Sequence, residues 1–262
     1  MNSPLNISII QTSLYWEDIP KNLQHFSEKI HAITTPTDII VLPEMFSTGF
    51  TMNPKKLAET NDGEALQWML QMAKTKNCVM VGSVAVKEDE VFYNRLYWVF
   101  PHGEVHYYNK RHLFQMGKEH QHYTAGKNKL MITYKGWKIC PLICYDLRFP
   151  VWSRNTTKDI YDVLIYVANW PEARHYHWKQ LLIARAIENQ SYVIGVNRIG
   201  LDAHNINHSG DSMVINPRGE IISSIEAHED KTETLALSYQ YLQEYRTAFP
   251  ALSDADEFRI KE

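Results

Sequence analysis

Short apolar runs bounded by turn residues recur along the chain and alternate with stretches whose apolar positions return every three or four residues. Short runs of this kind read as strands, and the longer periodic stretches read as amphipathic helices. The pattern predicts strands over 7–11, 39–42, 79–86, 93–100, 105–109, 139–144, 163–167, 192–197, 212–215, 221–224 and 234–237. Helices are predicted over 20–31, 64–76, 151–155, 175–189 and 239–245. Pro101-His-Gly103 and Asn216-Pro-Arg-Gly219 supply hairpin turns, so the strands beside them pair antiparallel. Helices after Pro43, Cys144 and Asn169 read instead as crossovers between parallel strands. With no linker, repeat or charge block in between, residues 1–262 form a single α/β domain with mixed sheets. In the helix from Trp178, Arg185 and Glu188 share the side set by Leu181 and Leu182, either as a surface ion pair or as part of an interface.

Composition narrows the class. A chain of 262 residues, 44% of them hydrophobic, buries a large core. The formal net charge of -3, with Lys and Arg scattered along the chain, leaves no basic footprint for nucleic acid. No segment approaches the ~20 apolar residues that span a bilayer, and Met1 to Ile10 lacks the layout of a signal peptide. The expectation is a soluble cytoplasmic protein without a membrane partner. Three cysteines, Cys78, Cys140 and Cys144, suit reduced thiols better than a disulfide framework. Cys140 and Cys144 lie four apart, but the paired ligand spacing of a zinc site is missing, so no metal is expected.

One thiol stands out by position. Cys144 closes the apolar run 139–143, and Asp146 and Pro150 follow as helix-entry residues. A sulfur at a strand-to-helix turn meets the backbone N–H groups of the incoming helix, an environment that favours thiolate. The plainer reading is a small buried apolar residue. Glu44 follows Val41-Leu-Pro, held beyond a strand tip by the fixed φ of Pro43 and partly desolvated by Met45 and Phe46, as suits a general base. Lys110 ends the strand 105–109, where an ammonium would steady an oxyanion and attract a thiolate. Glu119 adds a second acid that would orient Lys110 and the substrate. Glu44 and Lys110, taken singly, are also ordinary surface residues.

Leu42-Pro-Glu44, Asn109-Lys110 and Ile143-Cys-Tyr-Asp-Leu-Arg-Phe149, in this order and spacing, resemble the nitrilase superfamily of carbon-nitrogen hydrolases. Pro43-Glu-Met-Phe-Ser-Thr-Gly-Phe50, Tyr166-Val-Ala-Asn-Trp-Pro171, Ala184-Arg-Ala-Ile-Glu-Asn189 and Gly210-Asp-Ser212 resemble its omega-amidase branch. The resemblance implies a four-layer α-β-β-α sandwich, paired as a homodimer or higher homo-oligomer, with Glu44 as base, Lys110 as oxyanion cation, Cys144 as nucleophile and Glu119 as supporting acid. It also implies a cofactor-free hydrolase of linear amides that forms a Cys thioester. Its substrates would be 2-oxo dicarboxylic acid monoamides such as 2-oxoglutaramate and 2-oxosuccinamate. An arginine would hold the carboxylate at the far end, with Arg174 preferred for the substrate and Arg148 for structure. Tyr145, Trp170 and Phe46 are candidates for an apolar wall, and each is equally a core residue. The alternatives are another amidase or N-carbamoyl amide hydrolase of the superfamily, a cysteine protease using His175 or His177, and a non-enzymatic dimeric binding module.

Overall fold

The computed structural model describes residues 3–156, 160–258 and 260. Its strands are β1 (Leu5–Gln11), β2 (Ile39–Val41), β3 (Val79–Glu88), β4 (Val91–Val99), β5 (Val105–Asn109), β6 (Ile132–Tyr134), β7 (Trp137–Ile143), β8 (Val163–Ala168), β9 (Tyr192–Asn197), β10 (Ile199–Leu201), β11 (Asn207–Ser209), β12 (Met213–Ile215) and β13 (Lys231–Leu237). Its helices are α1 (Ile19–His31), α2 (Pro54–Leu57), α3 (Glu64–Lys76), α4 (Pro150–Ser153), α5 (His175–Asn189) and α6 (Tyr239–Ala248).

Two mixed sheets carry the fold. One runs β13-β1-β2-β3-β4-β5 and the other β12-β9-β8-β7-β6, while β10 and β11 form a separate hairpin. The parallel pairs β1–β2–β3 and β7–β8–β9 are joined by helical crossovers, and the flanking pairs are antiparallel. Alternation along the strands sets the layers. Ile7, Ile9, Ile39, Val41, Val79, Val81, Leu96 and Trp98 face one core together with residues of the second sheet. Their neighbours Ile10, Ile40, Leu42, Met80, Tyr97 and Val99 face Leu23, Phe26, Ile30, Met69 and Met72 of α1 and α3. On the far side Trp178, Leu182 and Ala186 of α5 close over the second sheet. The result is the α-β-β-α stack.

Local sequence explains the main helices. Asp18 caps α1 by accepting from the Lys21 N–H, Pro20 lies in the first turn, and Asn22, Leu23, Phe26 and Ile30 line the buried face. Asn77 and Gln190 end α3 and α5 in the left-handed region, at φ 51° and 44°.

Several expectations need correction. The helix expected over 151–155 is the single turn Pro150–Ser153, preceded by a 3-10 segment, Cys144–Arg148. Pro150 cannot donate to a preceding turn, so the two pieces stay separate. The strand expected over 221–224 shrinks to one bridge, Ile215 to Ile221. The three-residue strands β6, β10 and β11 and the short α2 escape the reading because, unlike the equally short β2 and β12, they carry no unbroken apolar run. Arg185 forms the expected ion pair with Glu188, but as a buried side chain and not at the surface. It is 3% exposed and donates from Nη2 to the Leu147 carbonyl at 2.6 Å as well as from Nη1 to Glu188 at 3.0 Å.

Candidate active site

Four strand ends meet at the seam between the sheets. Glu44 lies three residues past β2, Lys110 directly follows β5, Cys144 directly follows β7 and Asn169 directly follows β8. Ligand sites of α/β sheets form beyond the carboxyl ends of strands for this topological reason. The Glu44 turn is tight, with Met45 at φ 44° and the N–H groups of Met45 and Phe46 donating to the Ser83 hydroxyl and carbonyl.

Cys144 sits in an elbow with φ 41°, a conformation rare for a side chain other than glycine. Asp146 holds the elbow, and it is fully buried. Its carboxylate accepts from the Ile143 N–H at 3.0 Å, the Tyr108 hydroxyl at 2.8 Å, and the His112 N–H and ring Nδ1 at 3.0 and 2.8 Å. Tyr108 in turn accepts from the Arg111 N–H and the Trp152 indole, both at 3.0 Å. The elbow and the Lys110 strand end are thus fastened to one carboxylate. Arg185 pins its other side through Leu147.

Behind the thiol lies a fully buried charge cluster. Lys110 Nζ donates to Glu44 Oε1 at 2.8 Å and to both oxygens of Glu119 at 3.1 and 2.9 Å. Asn94 Nδ2 donates to Glu44 Oε1 at 2.8 Å and Glu119 Oε1 at 3.1 Å, bridging the two acids. The Phe114 N–H donates to Glu119 at 2.6 Å, and the Asn169 N–H to Glu44 Oε2 at 2.9 Å. The Phe50 ring lies 5.1 Å from the ammonium. Burial works against the charged form of Lys110, but Glu119 and then Glu44 more than reverse it, so its proton is held above the ordinary lysine range. Burial also pushes Glu119 up, with Lys110 opposing and Glu44 adding to the rise.

The thiol state differs from the sequence expectation. Burial first, and then the Glu44 carboxylate, drive the Cys144 thiol well above its ordinary range, with Lys110 pulling the other way. Burial and the carboxylate both favour the thiol over the thiolate. The five-residue 3-10 turn that follows does not offset this desolvation.

A cavity of about 470 Å³ opens over Cys144, Lys110 and Asn169. Phe50, Phe114, Tyr145 and Trp170 give it aromatic walls, and Arg148 and Arg174 both reach it. The sequence reading separated these arginines, whereas the fold brings them together. Arg148 lies 4.9 Å over the Trp170 ring and donates to His177 Nδ1 at 2.9 Å, and Arg174 lies 5.5 Å from the Phe114 ring. Phe46 is not in the cavity. It is packed with Phe26 and Trp68 under the helices, because the turn at Met45 sends it to the other face of the sheet and leaves Phe50 to the site. The Asp202 carboxylate also borders the cavity, but one of its oxygens already accepts from the N–H groups of His204 and Ile206. His177 accepts from Arg148 and His175 faces Asp211 at 3.8 Å, and neither histidine lines the cavity over the thiol. A larger groove of about 900 Å³ between α1, α3 and the 101–103 turn contains none of these groups.

Asn94 and Asn169 were missed in the sequence. Asn94 did carry a signal, as a polar residue inside the apolar run of β4. Among the described residues, no group of three or more His, Cys, Asp or Glu side chains is placed to hold a metal ion, and no helix is long and apolar enough to cross a membrane.

Comparison with known proteins agrees with this geometry. The carbon-nitrogen hydrolase family profile matches residues 6–247. The chain is 49% identical over 256 residues to the omega-amidase YafV of Escherichia coli K12, covering 98% of each. It is 34% identical over 251 residues to a 2-oxoglutaramate amidase of Bacillus subtilis, covering 95% of this chain and 96% of the relative. The crystal structure of XC1258 from Xanthomonas campestris, a CN-hydrolase superfamily protein with an arsenic adduct in its active site, superposes with a TM-score of 0.96 at 38% identity, covering 99% and 100% of the two chains. Fold, site and relatives converge on one statement: the chain belongs to the carbon-nitrogen hydrolase family.

Proposed function

We propose that this protein is an omega-amidase that hydrolyses the terminal amide of 2-oxo dicarboxylic acid monoamides, 2-oxoglutaramate and 2-oxosuccinamate, to the acid and ammonia. The observation that carries the reading is one cavity holding a thiol with a buried carboxylate partner at one side and two arginines in its wall. The relatives named omega-amidase and 2-oxoglutaramate amidase support the same substrate class.

In the proposed cycle Glu44 takes the Cys144 proton as sulfur attacks the amide carbon. The oxyanion is met by the Lys110 ammonium and the Tyr145 N–H. Protonated Glu44 returns the proton to the amide nitrogen, the carbon-nitrogen bond breaks, and ammonia leaves a thioester on Cys144. Glu44 then deprotonates a water that attacks the thioester, the carbon-sulfur bond breaks, and the thiol is re-formed with the acid product. Glu119 keeps Lys110 aligned, and the scheme needs no cofactor. Arg174, with Arg148 beside it, binds the far carboxylate, and Tyr145, Trp170 and Phe50 exclude water. The enzyme works as a cytoplasmic homodimer, one catalytic unit per chain.

Ammonia release from 2-oxoglutaramate, compared with glutamine, asparagine, simple aliphatic amides and N-carbamoyl amino acids, tests the assignment. Strong preference for the first is expected, and preference for an N-carbamoyl amino acid or a neutral amide would overturn it. Arg174→Gln should raise KM for 2-oxoglutaramate by about 10-fold or more, the worth of a hydrogen bond to a charged group, and leave KM for a neutral amide unchanged.

A further inference from the structure

Asn197 ends β9 opposite Ala168, the last residue of β8, and its side chain is 1% exposed. Its carboxamide is fully engaged. Oδ1 accepts from the N–H groups of Trp170 at 2.8 Å and Arg198 at 3.0 Å, and Nδ2 donates to the carbonyls of Trp170 at 3.0 Å and Gly210 at 2.8 Å. An amide offers two hydrogens and two acceptor sites, so nothing is left over. By gripping both backbone groups of Trp170, the side chain imitates a ladder pair beyond the point where the β8–β9 pairing stops. Asn197 is itself fixed by the Ser212 hydroxyl, which accepts from its N–H at 2.9 Å and donates to its carbonyl at 3.1 Å.

The gripped residue adjoins Asn169. The Asn169 N–H donates to Glu44 Oε2 at 2.9 Å and its side-chain amide donates to the Glu44 carbonyl. Asn169 and Cys144 both line the cavity, so this donor lies beside the thiol's site. Trp170 has no freedom to shift without moving this donor. We propose that Asn197 is the positioning residue of the general base, fixing the 169–170 backbone so that its N–H holds the Glu44 carboxylate in line with the Cys144 thiol. The inference rests on Glu44 acting as the base.

A residue that served only stability would lower the melting temperature and leave turnover per folded molecule alone. A positioning residue changes the chemistry. Asn197→Ser and Asn197→Ala remove the grip on Trp170 without adding charge near Glu44. On 2-oxoglutaramate, kcat is expected to fall about 10- to 100-fold, the cost of sub-ångström misplacement, while KM stays within about threefold. Alkylation of Cys144 by iodoacetamide without substrate, read by peptide mass, should slow by a similar factor, and it reports on whichever variant folds even if turnover is too low to profile. Glu44→Gln is measured alongside. Full turnover in Glu44→Gln would overturn the base assignment itself. An inactive Glu44→Gln, with wild-type kcat and alkylation in both Asn197 variants, or a change confined to KM, would overturn the role of Asn197.

Discussion

Lys110 is the residue on which the buried charges depend, since its ammonium touches both Glu44 and Glu119 and all three side chains are buried. Removing one partner of such a cluster leaves uncompensated charge, at a cost of about 3–5 kcal/mol. Lys110→Met should therefore lose about that much stability in urea unfolding, and roughly 10²–10³-fold in kcat through the missing oxyanion donor. A variant as stable as wild type would show that the acids do not need the ammonium. His208 gives a second test at this scale. It lines the cavity at 3% exposure, and burial, followed by the field of Arg198, pushes it down to about 4. A histidine depressed on folding binds fewer protons folded than unfolded, so its contribution is complete above the unfolded value near 6.5 and is lost as pH falls toward 4. About 3 kcal/mol is expected to disappear over that window, and His208→Asn should flatten the curve of unfolding midpoint against pH there. Parallel curves would remove His208 from the account. Glu44, Lys110 and Cys144 were legible in the sequence because each follows an apolar run and its neighbours matched a family pattern. The positions of Asn94 and Asn169 beside them depend on which strand ends become neighbours, and Phe50 replaced Phe46 because of a backbone turn that no side-chain pattern announces.

At the scale of elements, the site depends on how strand ends are held. The segment carrying Lys110 is clamped from the side by Gly126, whose N–H donates to the Lys110 carbonyl at 2.8 Å. A Cβ built at Gly126 would lie 2.0 Å from the Asn109 carbonyl oxygen, and backbone cannot yield as a flexible side chain does. Gly126→Ala should consequently displace the β5 end that presents Lys110, lowering both kcat and the thermal midpoint. Retention of wild-type values in both would mean that the 126 segment, and not the Lys110 strand end, absorbs the methyl group. The longer strands were readable because alternating positions divide cleanly between the inter-sheet core and the helical layer, as at Leu96, Tyr97, Trp98 and Val99 of β4. The elbow was placed correctly but not its form. A 3-10 turn over Cys144–Arg148 is stabilised by Asp146 bonds to β5 and its following loop, and these are contacts of tertiary structure. Arg185 was ambiguous for a similar reason, because its carbonyl partner at Leu147 lies 38 residues away in the chain.

For the whole molecule, the proposed homodimer makes a claim that can be argued from the surface. Around the C-terminal half of α5, Ile187 is 49% exposed, Val151 53% and Phe249 58%. These three belong to separate elements that the fold ties together: Arg154, just after α4, donates to the Glu188 carbonyl, and Gln190 donates to the carbonyl of Phe249 at 2.7 Å. The 216–219 turn abuts as well, with the Ile187 side chain against Gly219. Scattered apolar residues need no explanation, but several gathered over a helix that already covers a sheet suit a self-complementary two-fold contact. Light scattering should give twice the 30.6 kDa of one chain, and Ile187→Glu should return the mass toward a single chain. Because pairing stabilises only the folded protein, the wild-type melting temperature should also rise with protein concentration while that of Ile187→Glu stays flat. A wild-type protein of 30.6 kDa with a concentration-independent melting temperature would leave this apolar face without a partner copy and end the dimer proposal.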